Sequence, residues 1–463
     1  MNYLAVNNEV YTGSFYYSEA SFRELNQKRL NFPLVERSDQ WITINRSTTD
    51  IIGYIYSVEL NEQISKHNYY AFLWHAVFLA LATNFMDVDT IIPAMMIDAG
   101  GNSLQVGILT AIMIGGGKCA QLFFAPFLNN QTLKKGYLLL GINTRVFALT
   151  GMTLLFYFSS HVNESFIIWF IFIFISLLSL SGGFANVNYV DILGKSVLKK
   201  KRKAFFSSKH VISNIFIFLS AFLAKKVLTA FGYPMSYAIL FFIAAAFLGI
   251  ASLGFWKIKE IRASNFKIYG LAKFIHIITQ ETRTNKKLKN YIFLINIQGI
   301  SMVLMPFLIL YAKKNFAVGS HDIGNFLLLK VIGGVLTGSI LFYYSKKIKY
   351  QVMLYMSSII AILIPMFIIM LPDSILSPYI FLAGGIVFTI HNISISGILL
   401  EVTTNENRAL YTGLSGAGNI LPIIFPFLGG WIITQFGFTL FFILFIFFIS
   451  LSFYFIPKIG CKE

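Results

Sequence analysis

About a dozen stretches of 20 to 27 largely apolar residues fill this chain from Tyr70 to Pro457. Each is long enough to cross a hydrocarbon core of about 30 Å as a helix. No water is present in that core to satisfy backbone polar groups, so each stretch is committed to helix. Apolar residues make up 56% of the chain and charged residues 12%, too few to clothe a soluble fold of 463 residues. The sequence therefore describes an all-α, multi-pass membrane protein.

The stretches fall at about 71–97, 104–128, 137–159, 165–190, 207–230, 234–256, 290–312, 320–344, 351–371, 377–400, 410–435 and 437–457. Alternate gaps hold Lys134, Lys135, Lys195, the run Lys199 to Lys203, Lys209, nine basic residues between Lys257 and Lys289, Lys346, Lys347, Lys349, Arg408, Lys458 and Lys462. Those gaps carry 24 basic residues, and the opposite gaps carry only Lys225, Lys226, Lys313 and Lys314. The positive-inside rule then places both termini in the cytoplasm of a plasma or inner-membrane protein. A formal charge of +17 invites a nucleic-acid reading, but a DNA-binding face would not sort its lysines by loop parity.

Residues 1–69 form a separate segment, expected to be a partly ordered cytoplasmic extension, with a short surface helix from Asp50 to Leu60 as the alternative. A cytoplasmic partner for this segment is one expectation. The start has no basic region followed by an apolar one, so no cleavable signal peptide is expected. Cys119 and Cys461 suggest neither a disulfide framework nor a metal site. Residues 257–289 are the longest polar gap, with an amphipathic helix expected over 268–278, and they divide the membrane part into halves at 70–256 and 290–463.

The halves look like copies. Ser103, Val106, Gly107, Gly116 and Gly117 open the second crossing, and Ser320, Ile323, Gly324, Gly333 and Gly334 open the eighth, each 217 residues later. Small residues there let helices approach closely, and duplicated halves are a construction of transporters that rock one half on the other.

Ionisable groups inside the membrane cost about 2.5–3.5 kcal/mol each on insertion scales, so they need a reason. The first crossing carries Asn84, Asp87 and Asp89, the second Lys118, the third Arg145 and the eighth Lys330. Asn84 and Asp87 are expected to share a helix face. One reading is a polar cavity where an acid, Asp87 by preference, carries protons and the surplus positive charge meets an anionic substrate group. The other is that Asp87 and Asp89 pair with Lys118 and Arg145 and fasten the first half together. Gly115-Gly116-Gly117-Lys118 lacks the spacing of a phosphate-binding loop. No cofactor, metal cluster or catalytic motif is read, and the chain is not expected to be an enzyme.

The six-plus-six layout, the middle loop and the repeat resemble the major facilitator superfamily of secondary transporters over residues 70–457. Glu401-Val-Thr-Thr-Asn-Glu-Asn-Arg408 is similar to the E-x6-R pattern after the tenth crossing of its sugar carriers. Asp191 with Lys195, Arg202 and Lys203 is similar to the acid-then-basic pattern of the first half. The loop motif after the second crossing survives only as Lys134-Lys135, with Asn129 where the family has its acid. The drug-antiporter motif is missing, since Val211 to Ala230 contains neither Pro nor Gly.

The resemblance implies two six-helix pseudo-symmetric bundles working by alternating access, with the first, fourth, seventh and tenth crossings around the cavity. Ser179, Gly183 and Asn186, then Asn296, Gln298 and Ser301, then Thr389, His391, Asn392 and Ser396 would supply polar lining. His391 has the chemistry of a proton relay, or else is a membrane histidine hydrogen-bonded to a neighbouring helix. Asp191 with Arg202 and Glu401 with Arg408 would form a cytoplasmic gate, or else cap helix ends. The expected function is proton-coupled transport of a small organic, anion-bearing solute. The alternatives are flipping of a lipid or lipid-linked amphiphile, and a sensor or scaffold acting through residues 1–69.

Overall fold

The computed structural model describes four short strands within residues 3–43 and most of residues 60–459. Residues 44–59, 130, 261–275, 277–278, 281, 317, 345–347, 371–376, 403–417 and 460–463 lie outside the described residues. The surface helices expected over 50–60 and 268–278, and Arg408, fall largely or wholly among them. The chain forms two units, Met1–Glu59 and Leu60–Glu463. In the first, β1 (Tyr3–Val6), β2 (Glu9–Thr12), β3 (Leu34–Arg37) and β4 (Gln40–Thr43) pair antiparallel in the order β2-β1-β3-β4. Short runs rich in β-branched and aromatic residues, such as Glu9-Val10-Tyr11-Thr12 and Gln40-Trp41-Ile42-Thr43, favour these strands.

The second unit is helical. The first crossing is α1 (Glu62–Thr83) and α2 (Ile91–Asp98) with a break between them. The second to sixth are α3 (Ser103–Asn129), α4 (Lys135–Tyr157), α5 (Glu164–Ser196), α6 (Lys199–Ala230) and α7 (Met235–Trp256). The seventh is again broken, into α8 (Lys286–Gly299) and α9 (Leu304–Asn315). The eighth to tenth are α10 (Ser320–Tyr343), α11 (Tyr350–Met370) and α12 (Ile380–Val402). The last two lie in α13 (Leu421–Ser450), which Gly437 divides with φ 82° and ψ 179°. Only glycine adopts that backbone without strain. The eleven apolar segments long enough to cross a membrane therefore supply twelve crossings. The chain is an integral, multi-pass membrane protein.

The duplication seen in the sequence recurs in the packing. The second crossing packs on the fourth, and the eighth on the tenth. Between halves, α3 packs on α13 and α10 on α6. A Cβ on Gly107 would collide with Pro426 O of the opposite half, and one on Gly324 would lie 3.0 Å from the Lys225 backbone. The glycine pairs face inward within each half. A Cβ on Gly116 would press on Ser179, and one on Gly333 would collide with Leu382 O. Helix starts repeat as well: the Asn102 N–H donates to Gln105 (2.8 Å) and the Gly319 N–H to Asp322 (3.0 Å), again 217 residues apart.

Candidate functional site

The break in the first crossing builds the centre. The chain turns extended at Asp87 (φ −64°, ψ 126°), so Asn84 and Asp87 do not share a helix face as the spacing predicted. Asn84 instead donates to Ile217 O (2.6 Å) and Ser220 Oγ (2.9 Å) on α6. Asp87 Oδ1 accepts from the Asp89 N–H (3.1 Å), the Thr90 N–H (2.9 Å) and the Thr90 hydroxyl (2.8 Å). It thereby satisfies the donors of the turn that leads into α2.

The second Asp87 oxygen meets Lys330 Nζ of the other half at 2.7 Å, and Asp89 Oδ2 meets the same ammonium at 2.5 Å. All three side chains are about nine-tenths buried. Lys330 also lies 5.5 Å from the centre of the Phe388 ring. The sequence reading treated Lys330 as surplus charge and offered Lys118 and Arg145 as partners for the acids. The structure corrects both: the acids of one half hold the lysine of the other. A narrow crevice beside Asp89, bordered by Ser301, Met302, Met305 and Phe388, has room for about one water molecule.

Lys118 and Arg145 have no carboxylate partner among the described residues. With the Asn419 amide turned so that its nitrogen donates to Ile295 O (3.1 Å), its oxygen accepts from Lys118 Nζ at 2.7 Å. Arg145 lies against Gly182 of α5, and its Nε is buried without a hydrogen bond.

The expected cavity residues divide. Asn296 is consumed in structure: its Oδ1 caps α13 through the N–H groups of Ile420 and Leu421, both at 2.8 Å, and its amide donates to Gly418 O. Gln298 turns to Ser358 of the ninth crossing (2.5 Å), away from the other half. Ser179 donates to Ile112 O (2.8 Å) and Thr389 to Gly334 O (3.3 Å). His391 is buried with Nδ1 unpartnered. Asn186 on α5, with Asn392 and Ser396 on one face of α12, remains exposed.

The Asp191–Arg202 pair is not formed. Asp191 meets Lys134 (3.1 Å) and Lys195, while Arg202 donates to the Gly194 and Val197 carbonyls that end α5. Those carbonyls lie five and eight residues back along the chain, within easier reach than another helix. Glu401 stands on α12, and its side chain lies outside the described set with Arg408. Sequence reasoning also missed Glu260, whose carboxylate accepts from the Lys134 and Lys135 N–H groups (2.8–2.9 Å) and so caps α4. Far from the basic loops, Asp98 at the end of α2 meets Lys313 at the end of α9 (2.6 Å), and Lys314 donates to Ser103 (2.8 Å). The halves are thus closed on one another at that far end.

Two six-helix halves related by an internal repeat, with broken first and seventh crossings and an ion cluster across their interface, have the fold of the major facilitator superfamily of membrane transporters. Solved structures share it. A POT family transporter in complex with a thioalcohol-conjugated peptide superposes with a TM-score of 0.63 at 12% identity, covering 85% of this chain and 96% of that one. A peptide transporter POT in complex with sulfate gives 0.61 at 13% identity, over 90% and 99% of the chains. The nucleoside transporter NupG gives 0.60 at 14%, over 84% and 98%. At the level of sequence no family model and no curated protein matches.

Proposed function

We propose that this chain is a proton-coupled secondary transporter that moves a small organic, anion-bearing solute by alternating access. Its basic loops and both termini face the cytoplasm across a plasma or inner membrane. The observation that carries the reading is the cluster of Asp87, Asp89 and Lys330. Two buried carboxylates on one lysine leave one negative charge uncompensated in a medium of low dielectric, and one bound proton removes it. The same ammonium ties the halves together, so proton arrival and the loosening of the interface are one event.

Asp89 is the proton carrier in this scheme. Asp87 is committed to three hydrogen bonds at the start of α2, whereas Asp89 borders the crevice. The solute's anionic group is met by Lys118 and Arg145, which no carboxylate neutralises. Transport of peptides and nucleosides by proteins of this fold supports a solute of that size.

The test uses the full chain in proteoliposomes with an imposed pH gradient. The probes are a radiolabelled dipeptide, a nucleoside and a sugar phosphate. Gradient-driven accumulation of one of them in the wild type, lost in Asp89→Asn while exchange persists, is the expected result. Unchanged uphill accumulation in Asp89→Asn removes it from the coupling step. A wild type that moves no probe but flips a labelled lipid replaces the solute reading with lipid transport.

A further inference from the structure

Lys330 is held by two acids and Lys118 by the Asn419 amide. Arg145 has neither kind of partner among the described residues, and its Nε is buried without a hydrogen bond. A guanidinium carries five N–H donors, and this one stands about 15 Å into α4 from its start at Lys135. The packing of α5 shows where those donors lead. Ala185 meets Gly141 of α4, and Gly183 meets Gly117 of α3. Trp169, Ile173 and Leu180 are exposed on the outer side. Gly182 and Asn186, one turn apart on one face, take the side that remains, and Asn186 is exposed there. Arg145 lies one turn from Gly141 along α4 and reaches that face. A Cβ on Gly182 would stand 3.6 Å from Arg145 Nε and 3.8 Å from its Cζ. The guanidinium thus lies where a longer side chain at position 182 would be.

We infer that Arg145, reaching over Gly182 with Asn186 one turn away, is the subsite for a single carboxylate of the transported solute. The inference rests on the transporter reading and narrows its substrate to a carboxylate-bearing molecule. Arg145 is partly exposed, so a ligand can reach it. A planar guanidinium takes a carboxylate through two parallel hydrogen bonds. One cation balances one carboxylate, whereas a phosphate dianion would leave a charge uncompensated in a medium of low dielectric. The Asn186 side chain projects from the same face of α5 about 5–6 Å along from position 182, and its amide can donate to a carboxylate oxygen. Gly182 is then a specificity-determining position, since a large side chain there covers the fork without changing its charge.

The same chemistry is offered by a free carboxylate or by a phosphatidylserine headgroup. Binding is therefore measured on the full chain in nanodiscs without any gradient, by thermal stabilisation. One arm adds benzoate to phosphatidylcholine discs, with benzamide at equal ionic strength as the uncharged control and inorganic phosphate as the dianion. The other replaces part of the lipid with phosphatidylserine. Stabilisation by benzoate beyond benzamide and phosphate, weakened about tenfold to a hundredfold in Arg145→Gln and Gly182→Leu, is expected for a solute subsite. Arg145→Lys keeps the charge without the fork and should weaken binding as well. If these variants fail to fold, Asn186→Ala, at an exposed position, carries the test. Stabilisation by phosphatidylserine alone, with the same sensitivity, replaces the solute with a headgroup. Benzoate binding that is indifferent to the variants, a preference for phosphate, or no binding by either source overturns the inference. Intact benzoate binding without gradient-driven accumulation of any solute would instead count against the transporter reading alone.

Discussion

Asp98 holds Lys313 at 2.6 Å across the two halves, while Tyr237 donates to its other oxygen, also at 2.6 Å. This pair closes the end far from the basic loops. Asp98→Asn and Lys313→Ala should each raise the labelling rate of cysteines placed near Ser103 and Val318, as that end opens more often. The exchange Asp98→Lys with Lys313→Asp should restore slow labelling. Equal labelling in all variants would mean the pair does not bear on closure.

Lys330→Ala strands two buried carboxylates. Removing one partner of a buried ion pair costs about 3–5 kcal/mol, so the variant should melt well below the wild type. The triple variant Asp87→Asn, Asp89→Asn, Lys330→Met removes the stranded charge and should recover most of the loss. Thermal melting in detergent reads both, and a triple variant no better than Lys330→Ala would contradict the charge argument.

Asp87 and Asp89 should differ when truncated. Asp87→Ala frees the Asp89 and Thr90 N–H groups and the Thr90 hydroxyl in the turn before α2, a loss of about 0.5–2 kcal/mol by analogy with N-cap losses, in addition to its effect on Lys330. Asp89→Ala lacks that extra cost. Comparing the two melting temperatures isolates the contribution of that turn, and an Asp89 variant as unstable as Asp87→Ala would deny Asp87 this role.

Gly385 lies where a Cβ would collide with Lys330 O, and Gly183 where one would collide with Gly117 O. Backbone on backbone cannot yield as a side-chain tip does. Gly385→Ala and Gly183→Ala should therefore cost about 1–3 kcal/mol from overpacking. Gly136, with nothing within 4 Å of its Cβ position, is the control and should accept Ala unchanged.

Lys134 is fully buried beside Asp191. Desolvation holds its ammonium below the ordinary lysine range, and Asp191 only partly offsets this. Between the lowered folded value and the ordinary one, the unfolded chain binds more protons, so stability rises with pH across that interval. The cost is fully present below the lowered folded value. Melting temperature should climb in mild alkali in the wild type relative to Lys134→Met, and parallel profiles would contradict the assignment.

Much of the architecture was legible because lipid leaves little choice. Apolar length gave the crossings, and the 217-residue repeat foretold contacts that the halves make in the same way. Partners across helices were not legible. Periodicity says which residues share a face, and Lys330 shows no preference in sequence between solute, headgroup and carboxylate. The break at residues 84–90 is hidden in sequence because Asn84, Asp87 and Asp89 look like polar residues on one continuous helix. Asp87, Asp89 and Thr90 instead form the turn that starts α2. Lys209 lies inside the fifth crossing, not in a loop, because the basic run from Lys199 to Lys203 opens α6 instead of preceding it.

Gly107 and Gly324 put bare backbone where each half leans on the other. Where bare backbone meets the neighbour at these two points there are no teeth to disengage, so in the proposed transport cycle one half would roll against its twin at small steric cost. Two such bearings, related by the repeat, define an axle, and a bulky residue at either would act as a brake on motion while sparing what the protein binds.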